Sequence, residues 1–105
     1  MDSWVLLAVA GLFEISWAVG LKYTEGFSRL LPSVLTILGS VASFVFLSLA
    51  LKRLPLSIAY AVWTGMGIAG TSVLGVFLFR EAFSLGKLFF IGLIVAGIVG
   101  LRLNS

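Results

Sequence analysis

The sequence predicts an all-α membrane protein with four transmembrane helices per chain. Three observations carry this. Hydrophobic residues make up 61% of the 105, against about 45–50% in globular domains. Charged residues make up 10%, against about 25% in soluble chains. The apolar residues fall into four runs, each close to the roughly 20 residues that cross a hydrocarbon core as a helix. The mean hydropathy of +1.22 agrees with this reading.

The first helix is expected from about Trp4 to Leu21 and the second from about Pro32 to Leu51. A proline suits the first turn, where its missing N–H has no helical partner to lose. The third helix is expected from about Ser57 to Phe79 and the fourth from about Leu85 to Leu103. The breaks at Lys22–Leu31, Lys52–Pro55 and Arg80–Ser84 are short, so consecutive helices must run antiparallel. The expectation is a single four-helix domain over residues 1–105, with no linker. Asp2 stands where a signal peptide carries basic residues, and Glu14 interrupts the apolar stretch, so the N-terminus does not read as a cleavable signal.

Composition also excludes function classes. The chain has no cysteine and no histidine, which removes disulfides, thiolate chemistry and the usual metal ligands. No cofactor is expected. The net charge of +3 comes from basic residues scattered at helix ends, never in a run, so nucleic acid is not an expected partner. Asp2, Glu25, Glu81 and all seven Lys and Arg residues fall at helix ends or in loops, as interfacial anchors do.

Glu14 alone breaks that pattern, near the middle of the first apolar run. A carboxylate at bilayer depth costs roughly 2.5–3.5 kcal/mol on insertion scales, and the default reading is an ion, proton or cationic-substrate site. Small residues flank it by one turn, Gly11 before and Ala18 after. They either leave room beside the acid or let another helix approach. Trp17, at i+3, is expected to donate its indole N–H to Glu14. On the second helix Ser33, Thr36, Ser40 and Ser43 form one hydroxyl stripe. Such hydroxyls often bond back to their own helix. Ser43 lies deepest and is the expected hydrogen-bond partner of Glu14, with Ser40 lining the site. On the third helix Tyr60, Trp63 and Gly67 share a face. Two amphipathic rings beside an acid suit a cation. The glycines at 65, 67, 70 and 75 would permit a bend. On the fourth, Gly92, Ala96 and Gly100 form a small-residue stripe of the kind that mediates close helix contact, read as the dimerisation face against intrachain packing as the alternative.

With these residues assembled, the chain resembles the small multidrug resistance family along nearly its whole length. The matching segments are Ala10–Gly11–Leu12–Phe13–Glu14, Trp17–Ala18, Leu21–Lys22–Tyr23, Gly26–Phe27–Ser28–Arg29–Leu30, Pro32–Ser33 and Ala59–Tyr60–Ala61–Val62–Trp63–Thr64–Gly65. The resemblance implies antiparallel homodimers in the cytoplasmic membrane that export cations in exchange for protons. It maps the essential carboxylate onto Glu14 and the site aromatics onto Tyr60 and Trp63. Gly11, Trp17 and Trp63–Thr64–Gly65 look like the guanidinium-exporting subtype. Ser57, Ile58 and the Gly67–Ile68 pair depart from it, and Ser40 stands where drug exporters often carry tyrosine. Guanidinium leads, because the residues nearest the carboxylate carry most weight. The alternative is an exporter of quaternary ammonium and other hydrophobic cations, or of both classes. The expected partners are protons, a small organic cation, the lipid bilayer and a second, oppositely inserted copy.

Charge supports that last expectation. One side of the membrane receives Lys52, Arg53 and Arg102, the other Lys22, Arg29, Arg80 and Lys87. Lys/Arg asymmetry sets orientation, and three against four gives almost none. A dimer of opposed copies would form an inverted-repeat transporter from identical chains. A single cysteine placed in a loop of this Cys-free chain should therefore label from both sides of the membrane, about half from each. Two lysines added to one loop should force one orientation. Labelling of the unaltered background from one side only would contradict dual topology.

Overall fold

The computed structural model describes residues 2–104. They form four helices: α1 (Ser3–Tyr23), α2 (Leu30–Ala50), α3 (Leu56–Phe79) and α4 (Leu85–Leu103). Each apolar run becomes one helix, with ends shifted by at most two residues. All four are long and apolar enough to cross a membrane. The 21 residues of α1 make a rod of about 31 Å, against a hydrocarbon core of about 30 Å. The described residues include no strand.

Local chemistry sets the ends. The Asp2 carboxylate caps α1, accepting from the Trp4 N–H at 2.7 Å, so this acid does more than anchor the interface. α2 starts at Leu30, two residues before Pro32, because a first-turn proline forfeits no helical bond. The Ser84 hydroxyl caps α4, accepting from Lys87 N–H at 3.1 Å. The α1–α2 turn is pinned by buried Thr24. Its hydroxyl donates to the Leu21 carbonyl at 2.7 Å and accepts from the Phe27 N–H at 3.2 Å. Gly26 adopts φ +73° between Glu25 and Phe27, which are also left-handed. Glycine carries no penalty there.

α1 is the central element. It packs along α2 and against α3, whereas α2 and α3 scarcely meet, and α4 lies against α3. The buried core is Leu7, Ala10, Ala50, Ala59, Val62 and Trp63. Half of these are alanines, and small residues let helices close in lipid, where no hydrophobic force drives them together. One cation–π contact also joins the outer helix to the first, with the Arg102 guanidinium 4.8 Å from the Trp4 ring.

The glycines of α3 take up neighbouring side chains, and α3 runs unbroken through them. α4 docks by seating Ile94 and Ile98 on Gly65, where an added Cβ would fall 2.8 Å from Ile98 Cδ1. The small-residue stripe therefore does not serve packing within the chain. Ala96 is exposed, and nothing lies within 4 Å of where a Cβ would stand on Gly92 or Gly100. No residue of α4 is buried. Gly92→Leu and Gly100→Leu should thus weaken association between copies more than leucine at Ile91 or Val99, read as dilution-dependent FRET in detergent. Equal effects on both faces would remove the stripe from the interface.

Candidate functional site

Glu14 turns its side chain from α1 onto α3. A Cβ added at Gly67 would fall 2.5 Å from the carboxyl carbon and 2.6 and 2.8 Å from Oε2 and Oε1. The carboxylate thus lies against the bare backbone of Gly67, a position that any larger residue would occupy. One turn on, Gly70 receives Ile15 in the same way. Glu14 is half-buried, and its Oε2 has no hydrogen-bond partner. The described residues hold no group of acids able to bind a metal.

Two expected hydrogen bonds are not made. The Ser43 hydroxyl, fully buried, donates to the Ala10 carbonyl at 2.7 Å. It accepts from Trp63 Nε1 at 2.8 Å. A hydroxyl has one proton to give, and here it is spent on the backbone one turn before Glu14. Ser43 therefore supports the acid indirectly. It fixes the helix that carries Glu14 and the ring on the facing helix, tying α1, α2 and α3 at one point. Trp17 likewise does not donate to Glu14. Its ring packs edge-on to Phe44, centroids 6.2 Å apart, and its Nε1 is buried without a partner.

The rings form a continuous row. Trp17 meets Phe44, Phe44 meets Trp63 at 5.9 Å, and Trp63 meets Tyr60 at 5.6 Å. Trp63 is buried, and Tyr60, half exposed, ends the row. Tyr60 and Trp63 are thus brought together as the spacing predicts, with Gly67 farther along the same helix under the acid. Phe44 is the member that sequence reasoning missed. It follows Ser43 and stands four residues after Ser40, but an apolar residue among apolar residues carries no mark. Ser40 is half-buried and donates to its own helix at the Ile37 carbonyl, 2.8 Å away. Gly11 leaves no free space beside the acid. It admits Met66, whose sulfur would lie 2.6 Å from an added Cβ.

The geometry generates one direct test. Gly67→Ala should displace the Glu14 carboxylate while leaving α3 helical, since alanine is the better helix former. A misplacement near 1 Å can cost up to about 10²-fold in rate. Substrate flux into liposomes should fall by at least about tenfold, and Gly70→Ala, which meets only Ile15, should cost less. Equal losses would deny Gly67 a special role.

Comparison with known proteins places these features in context. The Small Multidrug Resistance protein family matches residues 2–94. A protein of Yersinia pseudotuberculosis named guanidinium exporter is 52% identical over 103 residues, covering 98% of this chain and 99% of its own length. Proteins of the same name from Salmonella typhimurium and Klebsiella oxytoca are 53% and 50% identical over 103 residues, each covering 98% of both chains. A family match over most of the residues, with relatives at half identity across nearly the full length, shows that the chain belongs to the small multidrug resistance family.

Proposed function

We propose that this chain exports guanidinium or small guanidinyl cations in exchange for protons, as an antiparallel homodimer of dual topology. The observation that carries the reading is the Glu14 carboxylate, seated on Gly67 with one buried oxygen left without a partner. The names of the relatives supply the substrate class. As a family member the chain is a multi-pass transporter of the inner membrane and not an enzyme.

Apolar surroundings disfavour a bare carboxylate, so Glu14 holds either a proton or a cation. Guanidinium is planar and permanently charged, and its N–H groups match carboxylate oxygens in a fork. Loading the cation requires the proton to leave, and a returning proton expels the cation. Exchange follows from this competition, and an inward proton gradient drives export. Two copies would bring two Glu14 side chains to one midplane region. Tyr60 and Trp63 offer ring faces to the cation. Ser43, held by Ala10 and Trp63, keeps the facing helices in register. Trp17 and Phe44 continue the aromatic wall, and Gly11, Ser40 and Gly67 shape its surroundings.

The test is transport by the purified protein in liposomes under a pH gradient, with guanidinium, alkyl guanidines and a tetraalkylammonium compared. Guanidinium should move with a coupled proton flux. Glu14→Gln, which keeps the shape of the side chain and cannot exchange a proton, should abolish coupled transport and leave the helical fold intact. Coupled uptake by the Gln variant would overturn the mechanism. Transport of the tetraalkylammonium in preference to guanidinium would replace the substrate with the hydrophobic-cation class.

A further inference from the structure

Away from the acid, a cleft of about 430 Å³ opens between α1 and α2. It is bordered by Ser16, Gly20 and Tyr23 of α1, by Arg29, and by Leu35 and Thr36 of α2. Leu35 is 59% exposed, so the mouth opens on the outer surface of the chain. The cleft lies at the end of the bundle that carries both the α1–α2 and the α3–α4 connections. That end holds four basic residues, Lys22, Arg29, Arg80 and Lys87, against two acids, Glu25 and Glu81.

Three polar side chains at this cleft lack polar partners among the described residues, namely Tyr23, Arg29 and Thr36. Lys22 pairs with Glu81 at 3.5 Å, and Lys87 donates to the Ala82 carbonyl at 2.9 Å. The Arg29 guanidinium makes no ion pair or hydrogen bond among the described residues, and it borders the cleft. Deeper, Thr36 is 4% exposed, and its hydroxyl is buried against Gly20 without a partner. Ser16 and Ser33 nearby spend their protons on the Leu12 and Arg29 carbonyls. A buried hydroxyl left unpaired is costly. Thr36 is thus the one buried hydroxyl of this wall with an unspent proton, and it lies under Gly20, while the Tyr23 hydroxyl is exposed at the rim.

We infer that this cleft binds an anionic glycerophospholipid. Arg29 takes the phosphate in a fork, as guanidinium does with planar oxygen pairs. The acyl chain follows the apolar furrow past Leu35 and Ser16. The residues stand in the order in which such a lipid presents its groups from the membrane surface inward. Tyr23 stands at the rim, where aromatic residues sit at headgroup level.

The test is native mass spectrometry of the full chain in detergent, titrated with phosphatidylglycerol and phosphatidylcholine. The chain should retain phosphatidylglycerol about tenfold better, the scale of one charge-assisted bidentate contact. Arg29→Gln should bring the two lipids to within about twofold of each other. Arg29→Lys, which keeps the charge and loses the fork, should fall between. Lys87→Gln, at the same end and outside the cleft, should leave the preference unchanged. An Arg29→Gln chain that keeps the full preference would overturn the inference. So would equal losses from Arg29→Gln and Lys87→Gln, displacement of lipid by soluble glycerol phosphate, or Leu35→Cys crosslinking between copies across the cleft.

Discussion

A carboxylate oxygen without a partner, held inside an apolar bundle, is the constraint on which the rest of the structure depends. Placing Glu14 there requires a surface that accepts it closely without a side chain, and Gly67 supplies that. The contact fixes the distance between α1 and α3. Gly70 and Gly11 extend the same close approach on either side, admitting Ile15 and Met66. The helices can come this near only because the facing positions are small. The alanine-rich core around Leu7 and Val62 follows the same rule. Packing in lipid rests on such fits, since water offers no drive to bring the helices together.

The contact has a counterpart on the other flank of α1. Ser43 reaches from α2 to the Ala10 carbonyl and holds the Trp63 indole of α3 by its oxygen. α2 and α3 have little direct contact, so this fully buried hydroxyl is their chief polar bridge. One group thereby sets both the register of α1 and the orientation of the ring nearest the middle of the aromatic row. Removing it would leave the Trp63 indole N–H facing apolar neighbours, while the Ala10 carbonyl keeps its helical bond within α1. A buried donor left so costs about 1–3 kcal/mol. Ser43 ties the helix that carries Glu14 to the Trp63 ring, and any effect on the acid would pass through the backbone.

The four helices were legible because each apolar run is long, bounded by charges and separated by short breaks. Glu14 was legible because nothing else charged lies at that depth. Tyr60, Trp63 and Gly67 were legible as a face, since helical spacing puts them together whatever they touch. The partners of Ser43 and Trp17 were not. A serine in a membrane helix chooses among several carbonyls and side chains, and the choice depends on distances between helices that no spacing encodes. Phe44 was invisible for a different reason. It gains its place in the site from the rings it meets, and its own chemistry is that of the residues around it. Asp2 read as an anchor because capping and anchoring favour the same residue at the same place.

The orphaned groups around Glu14 bear on which cation the site prefers. Within one turn of α1 there is a buried acceptor, Glu14 Oε2, and a buried donor, Trp17 Nε1, and the chain leaves both unsatisfied. The acid turns onto Gly67 of α3, away from the indole. The ring of Trp17 is held on Phe44 of α2, and the acid oxygen stays without a partner. A tetraalkylammonium has no N–H to give it, so its binding would leave the oxygen orphaned and rely on the row of rings. A guanidinium would satisfy it directly. A hydrogen bond to a charged group is worth about 1.5–3 kcal/mol, or roughly one to two decades in affinity. The aromatic row can favour either cation, but the unpartnered oxygen favours only one that carries donors. That asymmetry, and not the width of the site, is the physical ground for placing guanidinium ahead of hydrophobic cations here.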